Sequence, residues 1–111
     1  MTAAVDDALW SAMGDPTRRR VLDLLLDSGG RTATALSAQL PVTRQAVTKH
    51  LTVLHRVGLV HATPAGREIR YDVDEVQFAR AVAQLAAVGS AWDARLRRIT
   101  QIAEAIERQK R

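Results

Sequence analysis

The stretch LSAQLPVTRQAVTKHLTVLHRVGLV, residues 36–60, decides the fold. Thr32 or Thr34 is placed to cap a short helix over residues 35–40, and Pro41 closes it by disfavouring helical geometry in the residue before it. At most three residues of turn follow. Thr43 then caps a second helix from about Arg44 to Val57, with Ala46, Val47, Leu51 and Leu54 on its buried face, and Gly58 ends it as a left-handed cap. Two helices joined by a tight turn give helix-turn-helix geometry.

Downstream, the hydrophobic period changes from helical to alternating. Over residues 68–73 Ile69, Tyr71 and Val73 point one way while Glu68, Arg70 and Asp72 point the other, as in a half-buried strand. Residues 59–63 are rich in β-formers, and Pro64-Ala65-Gly66-Arg67 supplies turn chemistry between the two strands. The result is a hairpin with a basic tip, a wing. Upstream, Val5, Leu9, Trp10 and Met13 recur at helical spacing before Gly14. Asp15-Pro16 then opens another helix: Asp accepts from the free N–H groups of the first turn, and Pro suits the first helical position. Val21, Leu22, Leu25 and Leu26 face its core, and Ser28-Gly29-Gly30 stops it.

From Asp74 onward the chain is helical. Phe78, Val82, Leu85, Gly89, Trp92, Leu96, Ile99, Ala103 and Ile106 alternate spacings of four and three, a coiled-coil-like seam of about four heptads. The small winged body cannot cover so long a seam, so it implies a helix from a second subunit. Gly89-Ser90 is a point where the helix could kink or restart, with Ser90 and Asp93 spaced as a capping box. The reading is mainly α with a small β-hairpin: a winged helix-turn-helix in the order α-α-α-α-β-β-α, one domain over residues 1–111 with 74–108 as its dimerisation helix.

Composition agrees with one soluble domain. The 111 residues are 47% hydrophobic and 25% charged, enough for a core without metals or staples. The absence of cysteine excludes disulfides, thiolate nucleophiles and every cysteine-bearing metal site, and fits a reducing cytoplasm. No run approaches the ~18 apolar residues of a membrane span, and Asp6 and Asp7 stand where a signal peptide would be basic. A cytosolic protein without membrane association is expected. The net charge of +4 is regional. Between Thr43 and Tyr71 lie Arg44, Lys49, Arg56, Arg67 and Arg70 against a single acid, Glu68. A concentrated basic excess favours polyanionic partners.

Three stretches together resemble the ArsR (arsenical-resistance repressor) family of bacterial winged helix-turn-helix regulators. MGDPTRRRVLDLLL, residues 13–26, is similar to the family's second-helix opening; residues 36–60 resemble its helix-turn-helix; GREIRYDV, residues 66–73, resembles its wing. The resemblance implies a homodimer joined through the first and last helices. It also implies binding to operator DNA near the protein's own gene, and repression until an effector lowers affinity. SAWDARLRRI, residues 90–99, is similar to members lacking metal-binding cysteines. The family's best-known metal sites use cysteines, or Asp, His and Glu ligands on the last helix; with no cysteine and no histidine after His61, metal sensing does not carry over.

In a helix-turn-helix the N-terminal part of the second helix reaches base edges in the major groove. Here it holds Thr43, Arg44, Gln45, Thr48 and Lys49. Arg44 can pair with guanine and Gln45 with adenine, each through two hydrogen bonds, while Thr43 or Thr48 can bond a phosphate or touch a thymine methyl. Arg67 and Arg70 on the wing would reach phosphates or the minor groove, although a basic hairpin edge also deters strand pairing. For Arg18, Arg19 and Arg20, intrachain ion pairs such as Arg19 with Asp23 compete with DNA contact. Val5, Leu9, Leu85, Trp92, Leu96 and Ile99 are candidates for the dimer interface. Trp10 and Trp92 fit interface core better than an effector pocket.

His50, His55 and His61 do not make a metal site. His50 and His55 are five apart on a helix and project differently, and no acid lies between Thr43 and Thr63 to complete a shell. His50 reads as a packed or hydrogen-bonded structural residue. No Ser/His/Asp grouping, phosphate-binding glycine loop or paired carboxylate spacing suggests an enzyme, and no cofactor is implied. The expected partners are double-stranded DNA, a second copy of the chain and an unidentified effector. The competing reading is a winged-helix module that docks on another protein.

Overall fold

The computed structural model describes residues 7–110. Its elements run α1 (Asp7–Met13), α2 (Pro16–Ser28), β1 (Arg31–Thr32), α3 (Ala33–Ser37), α4 (Arg44–Arg56), β2 (Val60–Ala65), β3 (Glu68–Val73) and α5 (Glu75–Gln109). Each longer helix begins where local chemistry places it. The Asp15 carboxylate accepts from the Arg18 N–H at 3.0 Å, with Pro16 in the first turn. Thr32, rather than Thr34, caps α3 by accepting from the Ala35 N–H, and Thr43 caps α4 by accepting from the Ala46 N–H. Asp74 caps α5 through the Gln77 N–H. Gly58 takes φ +83° after α4, a conformation that costs a side-chain-bearing residue and costs glycine little.

Three boundaries differ from the sequence reading. The third helix covers residues 33–37 rather than 35–40, so six residues, 38–43, separate it from α4 instead of at most three. The hairpin is longer and tighter: β2 runs through Pro64 and Ala65, leaving Gly66 and Arg67 as the turn, with Gly66 at φ +64°. The helix passes through Gly89-Ser90 without a break, so Ser90 and Asp93 form no capping box.

The hairpin is also not alone. β1 joins it to make an antiparallel sheet in the order β1-β3-β2, with Arg31 opposite Tyr71 and Val60 opposite Val73. Two residues are too few for a period to show, and only the long-range pairing defines them.

The core gathers Leu9, Val21, Leu22, Leu25, Leu36, Val47, Leu51, Leu54, Leu59, Val60, Tyr71 and Ala81. Burying each large aliphatic side chain stabilises by roughly 1.5–3 kcal/mol. Leu26, expected inside, is 48% exposed, and Leu24 packs against the core instead. The rotation of α2 is set by its packing on α1 and α4, which its own run of leucines does not specify.

Helix α5 does two jobs along its length. Its first turns lay Phe78, Ala81, Leu85 and Val88 on the core, while from Gly89 to Lys110 every residue but Ala105 is exposed. At 1.5 Å per residue it is about 52 Å long, and it draws the molecule out to 71 × 34 × 21 Å.

Candidate nucleic-acid interface

The interface is built on the outward side of α4. Val47, Leu51 and Leu54 anchor the inner side with no exposed surface, which fixes Arg44, Gln45, Thr48 and Lys49 outward. Among the described residues no hydrogen bond or ion pair engages the side chains of Arg44, Gln45 or Lys49. Their donors and acceptors are therefore free for a partner.

The two threonines differ. Thr43 uses its hydroxyl oxygen to accept from the Ala46 N–H, which leaves the hydroxyl hydrogen able to donate to a phosphate. Thr48 donates its hydroxyl to the Arg44 carbonyl at 3.0 Å, leaving its methyl and both hydroxyl lone pairs for contact. Thr52 repeats this bond to the Thr48 carbonyl, and Arg56 lies a further turn on. Arg44, Thr48, Thr52 and Arg56 thus share one exposed stripe at four-residue spacing. The last two were legible from that spacing but lie beyond the N-terminal turns of the helix that hold the candidate residues.

The wing stands beside this stripe. Ala33, Arg44, Thr48, Arg67, Glu68, Ile69 and Tyr71 line one cleft of about 160 Å³ between α4 and the hairpin. Glu68 is held there by the Thr34 hydroxyl, which donates to it at 2.6 Å and ties the tip end of the hairpin to the first helix of the motif. Arg67, at the turn, is exposed with no partner among the described residues.

Arg70 is placed differently. Alternation puts it on the opposite side of β3 from Ile69 and Tyr71, and its guanidinium bonds the Asp72 carboxylate at 3.2 and 3.4 Å. That pair covers Gly30, where a Cβ would collide with both Asp72 and Arg70. The second glycine after α2 is thus explained by close approach.

Arg18 is a brace. Its guanidinium donates to the Ser11 and Ala12 carbonyls at the end of α1, satisfying acceptors that a helix C-terminus leaves open. The ion pairs among the described residues are His61–Asp74 and Arg70–Asp72; the expected Arg19–Asp23 pair does not form. Asp15 has its pKa lowered from 3.8, chiefly by the Arg18 N–H; partial burial opposes this, and the charges of His50 and Arg18 add to it. His50 is partly buried, and its Nδ1 has no hydrogen-bond partner, so it is packed rather than hydrogen-bonded at that atom.

Residues 13–62 match the family described as a helix-turn-helix domain. The chain is 44% identical over 85 residues to the HTH-type transcriptional regulator CmtR of Mycobacterium tuberculosis, covering 77% of this chain and 71% of that protein. The fold matches an ArsR-like transcriptional regulator from Rhodococcus sp. RHA1 with a TM-score of 0.65 and 38% identity, over 87% of this chain and 91% of that one. The chain belongs to the ArsR family of transcriptional regulators. A homodimeric winged helix-turn-helix DNA-binding domain from Mycobacterium bovis also matches, with a TM-score of 0.62 and 25% identity over 76% of this chain and 77% of that one.

As an ArsR-family regulator the chain has a helix-turn-helix DNA-binding domain. Among the described residues no group of three or more His, Asp or Glu side chains could hold a metal ion, and no helix is long and apolar enough to cross a membrane.

The residues expected at a dimer interface separate into two sets. Leu9 is buried in the chain's own core and Leu85 packs against it, whereas Trp92, Leu96 and Ile99 are 53%, 54% and 58% exposed. Ile102 and Ile106 continue their stripe, and the Arg95 guanidinium lies 5.2 Å from the Trp92 ring. On α1, Trp10 is the large apolar residue left exposed, at 46%. Val5 lies outside the described residues.

Proposed function

We propose that the protein is a homodimeric repressor that binds operator DNA near its own gene and acts by binding rather than by catalysis. The observation that supports this best is the set of unengaged polar side chains, Arg44, Gln45 and Lys49, on the outer face of a rigidly packed α4, beside a wing tip carrying unpaired Arg67. Arg44 and Gln45 read base edges, Thr48 offers its methyl to a thymine, and Thr43, Lys49 and Arg67 hold phosphates. Arg70, on the far side of the hairpin with Asp72, adds charge at longer range. The whole chain acts as one DNA-binding unit, and the apolar stripe of α5 through Trp92, Leu96 and Ile99 joins two copies, with Trp10 contributing from α1. The effector is not a metal held by cysteines, since the sequence has none.

Fluorescence anisotropy of a labelled duplex from upstream of the gene, at two salt concentrations and against random competitor, tests the reading. Binding that resists competitor and weakens with salt is expected. Binding indistinguishable from random duplex would refute operator reading and favour a winged-helix module for a protein partner.

A further inference from the structure

A helix seated in the major groove and a wing tip in the neighbouring minor groove must straddle the sugar–phosphate strand that separates those grooves. In this fold the space between the two is the cleft lined by Arg44 and Thr48 on the α4 side and by Arg67 and Ile69 on the wing. Ile69 is the unexpected member. It shares a face of β3 with Tyr71, which is 7% exposed in the core, but one step nearer the tip Ile69 leaves the core and is 48% exposed. Within the chain Ile69 is opposed by Pro64 on β2, and the half of it that stays uncovered opens into the cleft that Arg44 and Arg67 also line. A deoxyribose presents carbon-bound hydrogens between two charged phosphates, the same apolar-between-charged order.

We propose that Ile69 packs on a deoxyribose of the strand that threads this cleft, while Arg44 and Arg67 flank it with positive charge. Glu68, the acid of the cleft, accepts from the Thr34 hydroxyl and braces the hairpin at the position adjacent to Ile69. The contact is apolar and to the backbone, so it contributes affinity without base preference and without releasing counterions. That signature separates it from Arg44, which discriminates bases, and from Arg67, which sets the salt slope. The inference rests on the DNA-binding reading above and deepens it.

The test titrates Ile69→Ser and Ile69→Leu against the upstream duplex and a random duplex at two salt concentrations. Covering on the order of 50 Å² of apolar surface corresponds to about tenfold in affinity. Ile69→Ser should therefore bind both duplexes about tenfold more weakly with an unchanged salt slope, and Ile69→Leu should bind as the unmodified protein does. Unchanged affinity for Ile69→Ser, a loss confined to one base-pair position, or a flatter slope would overturn the contact. A single ribonucleotide walked along the strand gives a measurement that does not depend on the variant folding. Weakened binding at one or two backbone positions supports the contact, and indifference at every position overturns it. Failure of the unmodified protein to bind any duplex would instead overturn the DNA reading, and this contact with it.

Discussion

Substituting Leu96→Glu should convert the protein from dimer to monomer without unfolding it. Leu96 is 54% exposed in the isolated chain, in a stripe with Trp92, Ile99, Ile102 and Ile106 that are all more than half exposed. A partner helix lying on this stripe would cover on the order of 100 Å² of Leu96, or ~2.5 kcal/mol at ~25 cal/mol/Å². A two-fold axis presents the residue twice, which doubles the loss to ~5 kcal/mol, between three and four decades in the dissociation constant. Two carboxylates brought into one apolar seam add repulsion and desolvation to that figure. Glutamate is a good helix former, and Leu96 touches none of the core residues that fix the winged body. Circular dichroism should therefore be unchanged while sedimentation at micromolar concentration shows one chain. A dimer that persists in Leu96→Glu would refute the assignment of the seam.

Arg44→Ala should cost ~1–3 kcal/mol on the operator and little on random duplex, whereas Arg67→Ala should weaken both alike and lower the salt slope by about one. Arg70→Ala should flatten that slope less than Arg67→Ala does, because Asp72 already holds the Arg70 guanidinium; an equal effect in salt titrations would contradict the placement of Arg70. Gly30→Ala should displace the Arg70–Asp72 pair, and since both partners are solvent-exposed the loss in a thermal melt should stay below ~1 kcal/mol. The folded-state pKa of Asp15 is depressed, so its contribution to stability is fully present above the unfolded value near 3.8 and is lost as pH falls through the folded one. Asp15→Asn keeps a competent cap but should flatten urea midpoints measured from about pH 4 downward; an unchanged acid dependence would show that this carboxylate does not sense folding.

The parts of the fold legible in sequence are those fixed within a few residues. Asp15-Pro16, Thr43 and Gly58 act through their own and adjacent backbone groups, and the alternation of residues 68–73 matched β3 end to end. The outward positions of α4 follow from Val47, Leu51 and Leu54, whose spacing fixes the inner face. What escaped was set at a distance. β1 exists only through its pairing with Tyr71 and Arg70, Gly30 is required by side chains forty residues later in the chain, and Arg18 answers carbonyls on a different helix. Apolar spacing also cannot say which neighbour covers a residue: Leu9 turned inward, while the equally periodic Trp92 did not. Ile69 was legible as a member of an alternating strand but not as the residue that steps off the core.

Asp74 begins α5 with a carboxylate that takes the Gln77 N–H, lies 3.2 Å from His61 Nε2 on β2, and follows a backbone bond from its own N–H to the Leu59 carbonyl. The wing and the long helix therefore share one pivot. A lever about 52 Å long turned by 5° at that pivot travels about 4.5 Å at its far end, so a partner that pins the far end to within an ångström holds the angle at the pivot to about one degree. The length beyond Gly89, which adds nothing to the folded core, thus becomes angular precision delivered to the wing.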